Sequence, residues 1–450
     1  MYLELLLLSL LLLLAYAYKK LERNLASPSI LFISGMLAAT LVAYIYKSEW
    51  KLGLHLNTFF IIFSGCFAFL VTEIKYRKKH PLLKPLIAHR KTQLPPISNL
   101  KLIFFICLQL FAYYMMSQNT IAQASAIMSL MDSIADLNER AKFEDEILTI
   151  PASIRYPYFI AQNSMPVWCC LIPFYIYNKT GHKLTKCLLV INYLLALAGS
   201  LFSGGRMIVL NGIIGLGVFW YIFDKIKNGW SPKMLSMKSI MLVTIIMAIF
   251  LGSFYSFGKL IGRTSENDYA IPAVYCGAQI KNLDIFLQDP WNVNYMGVPL
   301  ELSLYRQYHD IYTWFGIKEK PVSNNDIIPF QFVGNYPLGN VYTAFQSYYM
   351  DFGNFAFIAC IIMSFLLVLI LRKAMQTSFW YTGRLNVWVL LYSMLVFSPF
   401  LSFFSEMFFA RMSIKSIIAC IIYWTIITYY LQNKFLLKNE NKRKNSYRLS

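Results

Sequence analysis

Apolar runs of membrane-spanning length recur along almost the whole chain. Each run of about 17–20 apolar residues is long enough, as a helix, to cross roughly 30 Å of hydrocarbon. We predict about eleven spans (ten to twelve), at residues 2–18, 27–46, 56–74, 102–118, 157–177, 187–203, 206–223, 239–255, 354–371, 386–404 and 412–431. The pattern therefore predicts an all-α polytopic membrane protein that forms a single integral-membrane domain over residues 1–450.

Basic residues concentrate in alternate connections between these spans. When each charged residue is assigned to the nearer side, one side receives 27 of the 41 Lys and Arg but only 4 of the 22 Asp and Glu. Short cytoplasmic loops are enriched in Lys and Arg, so this side is predicted to be the cytoplasm, with the N-terminus outside. The net charge of +19 is then a topological signal, which favours anionic lipid headgroups over nucleic acid as its partner. Residues 432–450 form a basic cytoplasmic tail.

Two longer polar segments fall on the opposite, outer side. Residues 119–156 are predicted to contain an amphipathic helix that lies on the membrane face or extends the fourth span. Residues 256–352 form a large outer loop rich in Tyr, Trp, Asn and Asp. Tyr and Trp combine an apolar face with a polar tip, which suits a membrane interface and also suits stacking on sugar rings. A loop of this length between two spans indicates chemistry or recognition on the outer side.

The turn between the sixth and seventh spans has the composition of an anion site. Gly204 and Gly205 allow a tight turn and a close approach of the backbone to a ligand, and Arg206 follows them. The seventh span begins here, so its free N–H groups and positive dipole end point at the same place as the arginine. Such a turn would bind a phosphate or diphosphate. The alternative is a tight hairpin whose arginine reaches out to the interface.

The end of the large loop, residues 339–354, is a second candidate site. Asp351 either caps the ninth span or acts as an acid/base group that orients substrate. In the second interpretation the neighbouring polar side chains would form hydrogen bonds to a sugar. These are Asn340, Tyr342, Thr343, Tyr348 and Tyr349.

The turn between the tenth and eleventh spans carries Glu406 and Arg411. They either pair with each other or contact substrate, because Arg411 precedes an inward-running helix in the same way as Arg206. Within the large loop, Arg306 and His309 lie in RQYHD, which contains the only histidine of that loop. A lone loop histidine is more often a surface residue than a base, so His309 ranks after Asp351. No Cys/His spacing matches a zinc site, and neither a metal nor a cofactor is expected.

Together the SGGR turn, the N-x-x-T-x-F-x-x-Y-Y-x-D-F-G string at 340–353 and the many-span plan with one large outer loop resemble Wzy-type repeat-unit polymerases of O-antigen and capsule synthesis. The resemblance implies a multi-pass bacterial inner-membrane glycosyltransferase that works without a metal at the periplasmic face. It would transfer a growing glycan from undecaprenyl diphosphate to the next lipid-linked repeat unit, with a chain-length regulator protein as a candidate partner. Gly204, Gly205, Arg206 and Arg411 would then bind diphosphate, and Asp351 or His309 would serve as the base, with Arg306 and Glu406 contacting substrate.

Two other functions remain open. An O-antigen ligase uses the same lipid-diphosphate donor and differs in its acceptor, although the tyrosine-rich end of the loop favours a polymerase. A flippase or other transporter of lipid-linked oligosaccharides is the non-enzyme alternative. Flippases need polar or charged residues along their spans, whereas the charges here cluster at span ends and in loops.

Overall fold

Long apolar helices dominate the fold, seen in a computed structural model that describes residues 1–82, 97–125, 129–143, 150–203, 207–230, 271–290, 331–334 and 336–433. In chain order they are α1 (Tyr2–Lys20), α2 (Pro28–Ile45), α3 (Leu56–Lys79), α4 (Asn99–Gln123), α5 (Leu130–Phe143), α6 (Ala152–Gln162), α7 (Met165–Tyr177), α8 (Lys183–Gly199), α9 (Met207–Lys227) and α10 (Ile271–Gln288). Then follow α11 (Ala344–Phe352), α12 (Phe357–Met375), α13 (Phe379–Thr382), α14 (Val387–Leu395), α15 (Ser398–Leu401), α16 (Phe408–Arg411) and α17 (Ile414–Gln432). Short 3-10 turns follow α8 (Ser200–Ser203) and α11 (Gly353–Phe355).

Eight helical stretches among the described residues are long and apolar enough to cross a membrane. They are Tyr2–Lys20, Pro28–Ile45, Leu56–Lys79, Asn99–Gln123, Ala152–Tyr177, Val209–Lys227, Phe357–Met375 and Ile414–Gln432. The prediction of a multi-pass helical membrane protein is thereby confirmed. The predicted span 187–203 corresponds to α8, which has 17 residues, and 386–404 corresponds to the shorter apolar stretch Val387–Leu401. The predicted span 239–255 lies outside the described residues.

A small β-hairpin in the predicted outer loop departs from the all-α expectation. Strands β1 (Gln331–Val333) and β2 (Tyr336–Gly339) pair antiparallel, with Val333 opposite Tyr336. Gly334, in the turn between the strands, has a φ of +60°, which glycine adopts without the steric penalty of a side chain. The hairpin is held to α10 by Asn282, whose Nδ2 donates to Val341 O at 2.8 Å and Leu338 O at 3.3 Å. It therefore forms a bridge between α10 and α11.

The helices pack as two groups that α14 joins. In the first group α3 runs along α12, and α2 contacts α1, α10 and α15. In the second group α4 contacts α6 and α8, while α7 contacts α8 and α9. Helix α14 contacts α12 on one side and α7 and α9 on the other. The last helix, α17, packs against α4, α6 and α14 and so closes the second group.

Helix α1 shows how an almost uniformly apolar helix divides its faces. Leu3, Leu6 and Leu10 are buried at three- and four-residue spacing, whereas Leu8 and Leu12 are exposed. Lipid tails are as apolar as leucine, so burial against protein carries no compositional signature in a membrane helix. The packed face of α1 is therefore set by shape and not by hydropathy.

A buried carboxylate ties α3 to the first turn of α2. Glu73 is fully buried, and its oxygens accept hydrogen bonds from the Ser27 hydroxyl at 2.6 Å and the Ser29 N–H at 2.7 Å. Arg77, one turn further along α3, pairs with the same carboxylate and donates to Ser27 Oγ. The first turn of a helix has free N–H groups and a positive dipole end, which stabilise an anion there. Glu73 thus fixes how α2 and α3 meet.

A lysine from α4 caps the end of α17. The Lys101 ammonium donates to Tyr430 O and, at 2.8 Å, to Asn433 Oδ1. It also lies 5.5 Å from the centroid of the Tyr430 ring. A cation at a helix C-terminus satisfies free carbonyl groups and favours the negative dipole end, so this contact ties α17 to α4.

Gly35 on α2 provides a test of the close packing between α2 and α15. A Cβ added at Gly35 would lie 2.0 Å from the backbone oxygen of Phe400, which cannot move without α15. We expect Gly35→Ala to lower the free energy of unfolding by about 1–3 kcal/mol, measured as a lower thermal unfolding temperature of the purified protein in detergent. Gly217→Ala on α9 is the control, because nothing lies within 4 Å of the added Cβ. Equal losses in both variants would contradict the packing explanation.

Candidate functional site

Helices α6 and α7 are two halves of one membrane-length stretch, and they break at Asn163 and Ser164. In hydrocarbon, every backbone group that such a break releases must find another partner. The Ser164 hydroxyl donates to Ala161 O at 2.6 Å. The same hydroxyl oxygen accepts from Trp168 Nε1 at 2.8 Å and from Gln109 Nε2 at 3.3 Å. The break is therefore a hydrogen-bonded feature of the bundle.

The other residue of the break, Asn163, is held by α17. Trp424 Nε1 donates to Asn163 O at 2.9 Å, and Cys420 Sγ donates to Asn163 Oδ1 at 3.4 Å. The Asn163 amide donates back to Phe159 O in α6 at 2.9 Å. Polar side chains from α4, α7 and α17 thus converge at this break.

A small cavity with a mixed polar and apolar lining lies beside the break and has a volume of about 70 Å³. Its lining comes from five parts of the bundle and comprises Gln162, Asn163, Met165, Pro166, Cys169, Asn211, Ser393, Met394, Phe397 and Arg411. One water needs roughly 10–15 Å³ and a typical ligand pocket has roughly 300–1,000 Å³. The cavity is therefore smaller than a typical ligand pocket and has room for a small group, such as a phosphoryl group.

The electrostatics of this cavity favour an anion. Asn211 lies in the second turn of α9, and Arg411 lies three residues before α17, so both helices begin at this end of the bundle. Their positive dipole ends and free N–H groups lie on the same side as the guanidinium. Burial lowers the pKa of the Arg411 guanidinium, because the charged form loses hydration there.

Glu406 stabilises the turn that contains Arg411. Its two carboxylate oxygens accept from the N–H groups of Phe409, at 2.6 Å, and Ala410, at 2.9 Å. These N–H groups belong to the first turn of α16, where a carboxylate is a favourable cap. Arg411 ends this turn, and its guanidinium carbon lies 5.5 Å from the centroid of the Phe397 ring. The cation is held against an aromatic ring at the edge of the cavity.

Helix α11, from the predicted 339–354 site, packs against the same segment. The Ala344 N–H donates to Ser402 O at 2.8 Å, and the Tyr348 ring meets the Phe409 ring edge-on at 6.0 Å. Burial, with the Glu406 carboxylate nearby, raises the pKa of the Tyr348 phenol. The structure therefore brings together the predicted sites at 339–354 and 405–411.

Asn211, which lines the cavity, lies on the helix that follows the remaining predicted anion site in the sequence. The residues of that site, Gly204, Gly205 and Arg206, lie outside the described part of the chain, as do Arg306 and His309. The roles proposed for these five residues stay predictions.

Three of the predicted sugar-binding residues are buried. The Tyr342 hydroxyl accepts from Gln331 Nε2 at 2.9 Å. Thr343 is the N-cap of α11, where its hydroxyl oxygen accepts from the Phe345 N–H at 3.2 Å. The Tyr348 hydroxyl donates to Met363 Sδ at 3.5 Å. In the structure these side chains shape α11 and the segment that leads into it.

The other residues of this string are more accessible. Asn340 and Tyr349 are half-buried, and Asp351 is exposed in the last turn of α11. Asp351 does not cap the ninth span, because that span, α12, begins at Phe357 with Ala356 as its N-cap. The capping alternative for Asp351 is therefore wrong.

A carboxylate–histidine pair that the sequence analysis missed lies where α10 meets α3. Asp284 is buried and accepts from the His55 N–H at 2.9 Å and the Thr58 hydroxyl at 2.7 Å. Its second oxygen lies 3.0 Å from His55 Nδ1, while the His55 side chain is 54% exposed. A histidine oriented by a carboxylate, with the rest of its ring accessible, is a suitable acid/base group. The two residues are 229 positions apart, which hides the pair from sequence patterns.

Comparisons with known proteins found no similarity. A scan against protein-family models gave no match, and searches of curated proteins and of solved structures gave none either.

The contacts of Asp284 predict a loss of stability when its carboxylate is removed. We expect Asp284→Ala to lower the free energy of unfolding by about 2–4 kcal/mol, because the polar groups around it lose a charged acceptor. Thermal unfolding in detergent measures this loss. Gln288→Ala, at an exposed position at the end of α10, is the control and should change the value by at most about 0.5 kcal/mol. Similar losses in the two variants would contradict the structural role of Asp284.

Proposed function

We propose that the protein is an oligosaccharide repeat-unit polymerase of a bacterial inner membrane. It would be a metal-independent glycosyltransferase whose donor is a glycan on undecaprenyl diphosphate and whose acceptor is another lipid-linked repeat unit. The observation that carries the proposal is Arg411, which lines a small cavity together with Asn163, Asn211 and Ser393 where α9 and α17 begin. In surroundings of low dielectric constant, a positioned arginine strongly stabilises the negative charge that develops on a diphosphate leaving group.

The reaction needs an anion site, a base and a sugar-binding surface. The acceptor hydroxyl attacks the anomeric carbon, the bond from that carbon to the diphosphate oxygen breaks, and the hydroxyl proton passes to a base. Arg411 would bind a phosphoryl oxygen, with Gly204, Gly205 and Arg206 as the proposed second part of the same site. The volume of about 70 Å³ supports one phosphoryl group inside the cavity, with the glycan and polyprenyl chain outside it.

Asp351 is the first candidate base, because it is exposed on α11, the helix that packs against the Arg411 segment. His309 is the second. His55, oriented by Asp284, is a third candidate that the structure adds. Asn340 and Tyr349 are proposed to contact the sugar directly, with Tyr342, Thr343 and Tyr348 behind them, and Arg306 and Glu406 complete the proposed substrate site.

The proposal also assigns sides to the chain. Eleven spans with the N-terminus outside would place residues 119–156 and 256–352 in the periplasm and 432–450 in the cytoplasm. The distribution of Lys and Arg supports this arrangement. A chain-length regulator protein is the proposed partner.

Deletion of the gene in its native bacterium tests the proposed function. We expect surface glycan with a single repeat unit on its lipid core, because units are still exported and attached but no longer joined. Gel electrophoresis of the extracted glycolipid, with a wild-type copy restored as control, measures the ladder of chain lengths. A core without any repeat unit would indicate a ligase or a transporter, and an unchanged ladder would contradict all three functions.

Substitution of Arg411 tests the anion site. With purified protein and a lipid-diphosphate-linked oligosaccharide, we expect Arg411→Ala to reduce the rate of polymerisation by about 100- to 1,000-fold. Arg411→Lys should retain an intermediate rate, because a lysine keeps the charge but not the planar pair of donors. Arg155→Ala is the matched control, since Arg155 is exposed in α6 and lies over the Tyr156 ring instead of the cavity. A folded Arg411→Ala variant with the wild-type rate would contradict the proposed role.

A further inference from the structure

A larger cavity lies at the opposite end of the bundle, where α1, α3, α9 and α12 end. Its volume is about 330 Å³, which is at the lower end of the roughly 300–1,000 Å³ of ligand pockets. This end is the side that the positions of Lys and Arg predict to be cytoplasmic. The cavity is remote from Arg411, and no part of the proposed function uses it.

Cations dominate the lining of this cavity. The charged side chains that line it are Lys20, Arg23, Arg77, Lys78, Lys225 and one acid, Glu22. Arg77 pairs with the buried Glu73. The other charged side chains of the lining are four cations and the carboxylate of Glu22, so positive charge is in excess. Basic residues are common in the last turns of helices, where they complement the dipole. Their convergence on one cavity of ligand size goes beyond that general preference.

The loop that carries two of these charges is held in a fixed conformation. Glu22 and Arg23 both have a φ of +57°, a region that residues with side chains seldom adopt. The Tyr221 hydroxyl accepts from the Leu25 N–H at 3.0 Å and donates to Arg23 O at 3.3 Å. Tyr221 also lines the cavity, and Lys225 Nζ lies 5.6 Å from its ring centroid. The cationic loop is therefore positioned by α9 in advance of any ligand.

The cavity also has an apolar part. Ile74, Leu82 and Met375 line it beside the cations, together with the ring of Trp230. Trp and Tyr favour the headgroup level of a membrane, where one part of the ring is apolar and its edge is polar. A ligand that matches this lining carries a negative charge next to carbon chains.

We propose that this cavity binds the phosphate group of an anionic membrane lipid at the predicted cytoplasmic face. Basic pockets between membrane helices bind phospholipid headgroups, and the volume has room for a headgroup with the first carbons of its chains. A soluble phosphate ester shares the charge of such a lipid but lacks the chains that would contact the apolar lining. A bound lipid would also hold α1, α3 and α9 together and stabilise the folded protein by mass action.

Lipid titration of the delipidated, full-length protein in detergent tests this proposal. Native mass spectrometry measures the affinity for phosphatidylglycerol and, at the same concentrations, for phosphatidylcholine. We expect the wild-type protein to bind phosphatidylglycerol selectively. The double variant Arg23→Gln/Lys78→Gln, at two exposed positions, should bind it about 30-fold more weakly, which corresponds to about 2 kcal/mol, since each Lys or Arg near an anionic headgroup contributes about 1 kcal/mol. Each single substitution should weaken binding about fivefold and covers the case in which the double variant does not fold.

The matched control is Lys183→Gln/Lys186→Gln at the start of α8, which changes the charge equally on the same predicted side but outside the cavity. This control should bind phosphatidylglycerol as the wild type does. Competition with sn-glycerol 3-phosphate separates the two sources of a phosphate group. If sn-glycerol 3-phosphate displaces the lipid at equal concentration, the cavity binds a soluble phosphate ester, and the proposal of a membrane lipid is wrong. Equal binding of both lipids, or equal losses in the cavity and control variants, would overturn the proposal.

Discussion

A helix that breaks inside an apolar bundle releases N–H and C=O groups that hydrocarbon cannot bind, and each unsatisfied group costs several kcal/mol. At the break, the Ser164 hydroxyl donates to Ala161 O and Trp424 of α17 donates to Asn163 O. Gln109 of α4 and Trp168 of α7 in turn donate to the Ser164 hydroxyl and hold it in place. Gln109 also donates to Asn192 O, which brings in α8. Helices α4, α6, α7, α8 and α17 therefore meet at this interruption, and the small cavity lies beside it.

The two ends of the bundle carry different chemistry for the same underlying reason. Where α9 and α17 begin, positive dipole ends and Arg411 surround a cavity of about 70 Å³. Where α1, α3 and α9 end, the dipole is negative, and basic side chains surround a cavity of about 330 Å³. Both suit phosphate, but the first suits a single buried group and the second a larger headgroup with apolar neighbours. At the first end helix starts and an arginine both contribute positive charge, whereas at the second end basic side chains alone contribute it.

Membrane-length helices could be predicted from the sequence, because the length of each apolar run must match the thickness of the hydrocarbon core of the membrane. The break at Asn163 could not, since the run from Ala152 to Tyr177 is apolar enough to read as one span. The position of Arg411 was predictable, because a charged residue between apolar runs marks a span end. Its cavity was not, as the lining comes from segments between residues 162 and 411.

For aromatic residues near a span end, the sequence pattern also does not show which side chains are buried. Tyr348 and Tyr349 are adjacent in the same string, yet the first is fully buried in the core and the second is half-buried. The two side chains lie on different faces of α11, and the composition of the string does not show which face packs against the core. The same limit applies to His55 and Asp284, which meet only because α10 packs between α2 and α3.

The contact between Trp424 and Asn163 has a consequence for how the protein is made. A ribosome delivers helices to the membrane in chain order, so α6 and α7 are inserted long before Trp424 is synthesised. Until then Asn163 O lacks the indole donor that it has in the finished protein. The small cavity stays incomplete over the same interval, because Arg411 also emerges late. Biogenesis therefore includes a period in which a nearly complete chain holds an unfinished polar centre, and a nascent chain that terminates before α17 retains that defect for cellular quality control to recognise.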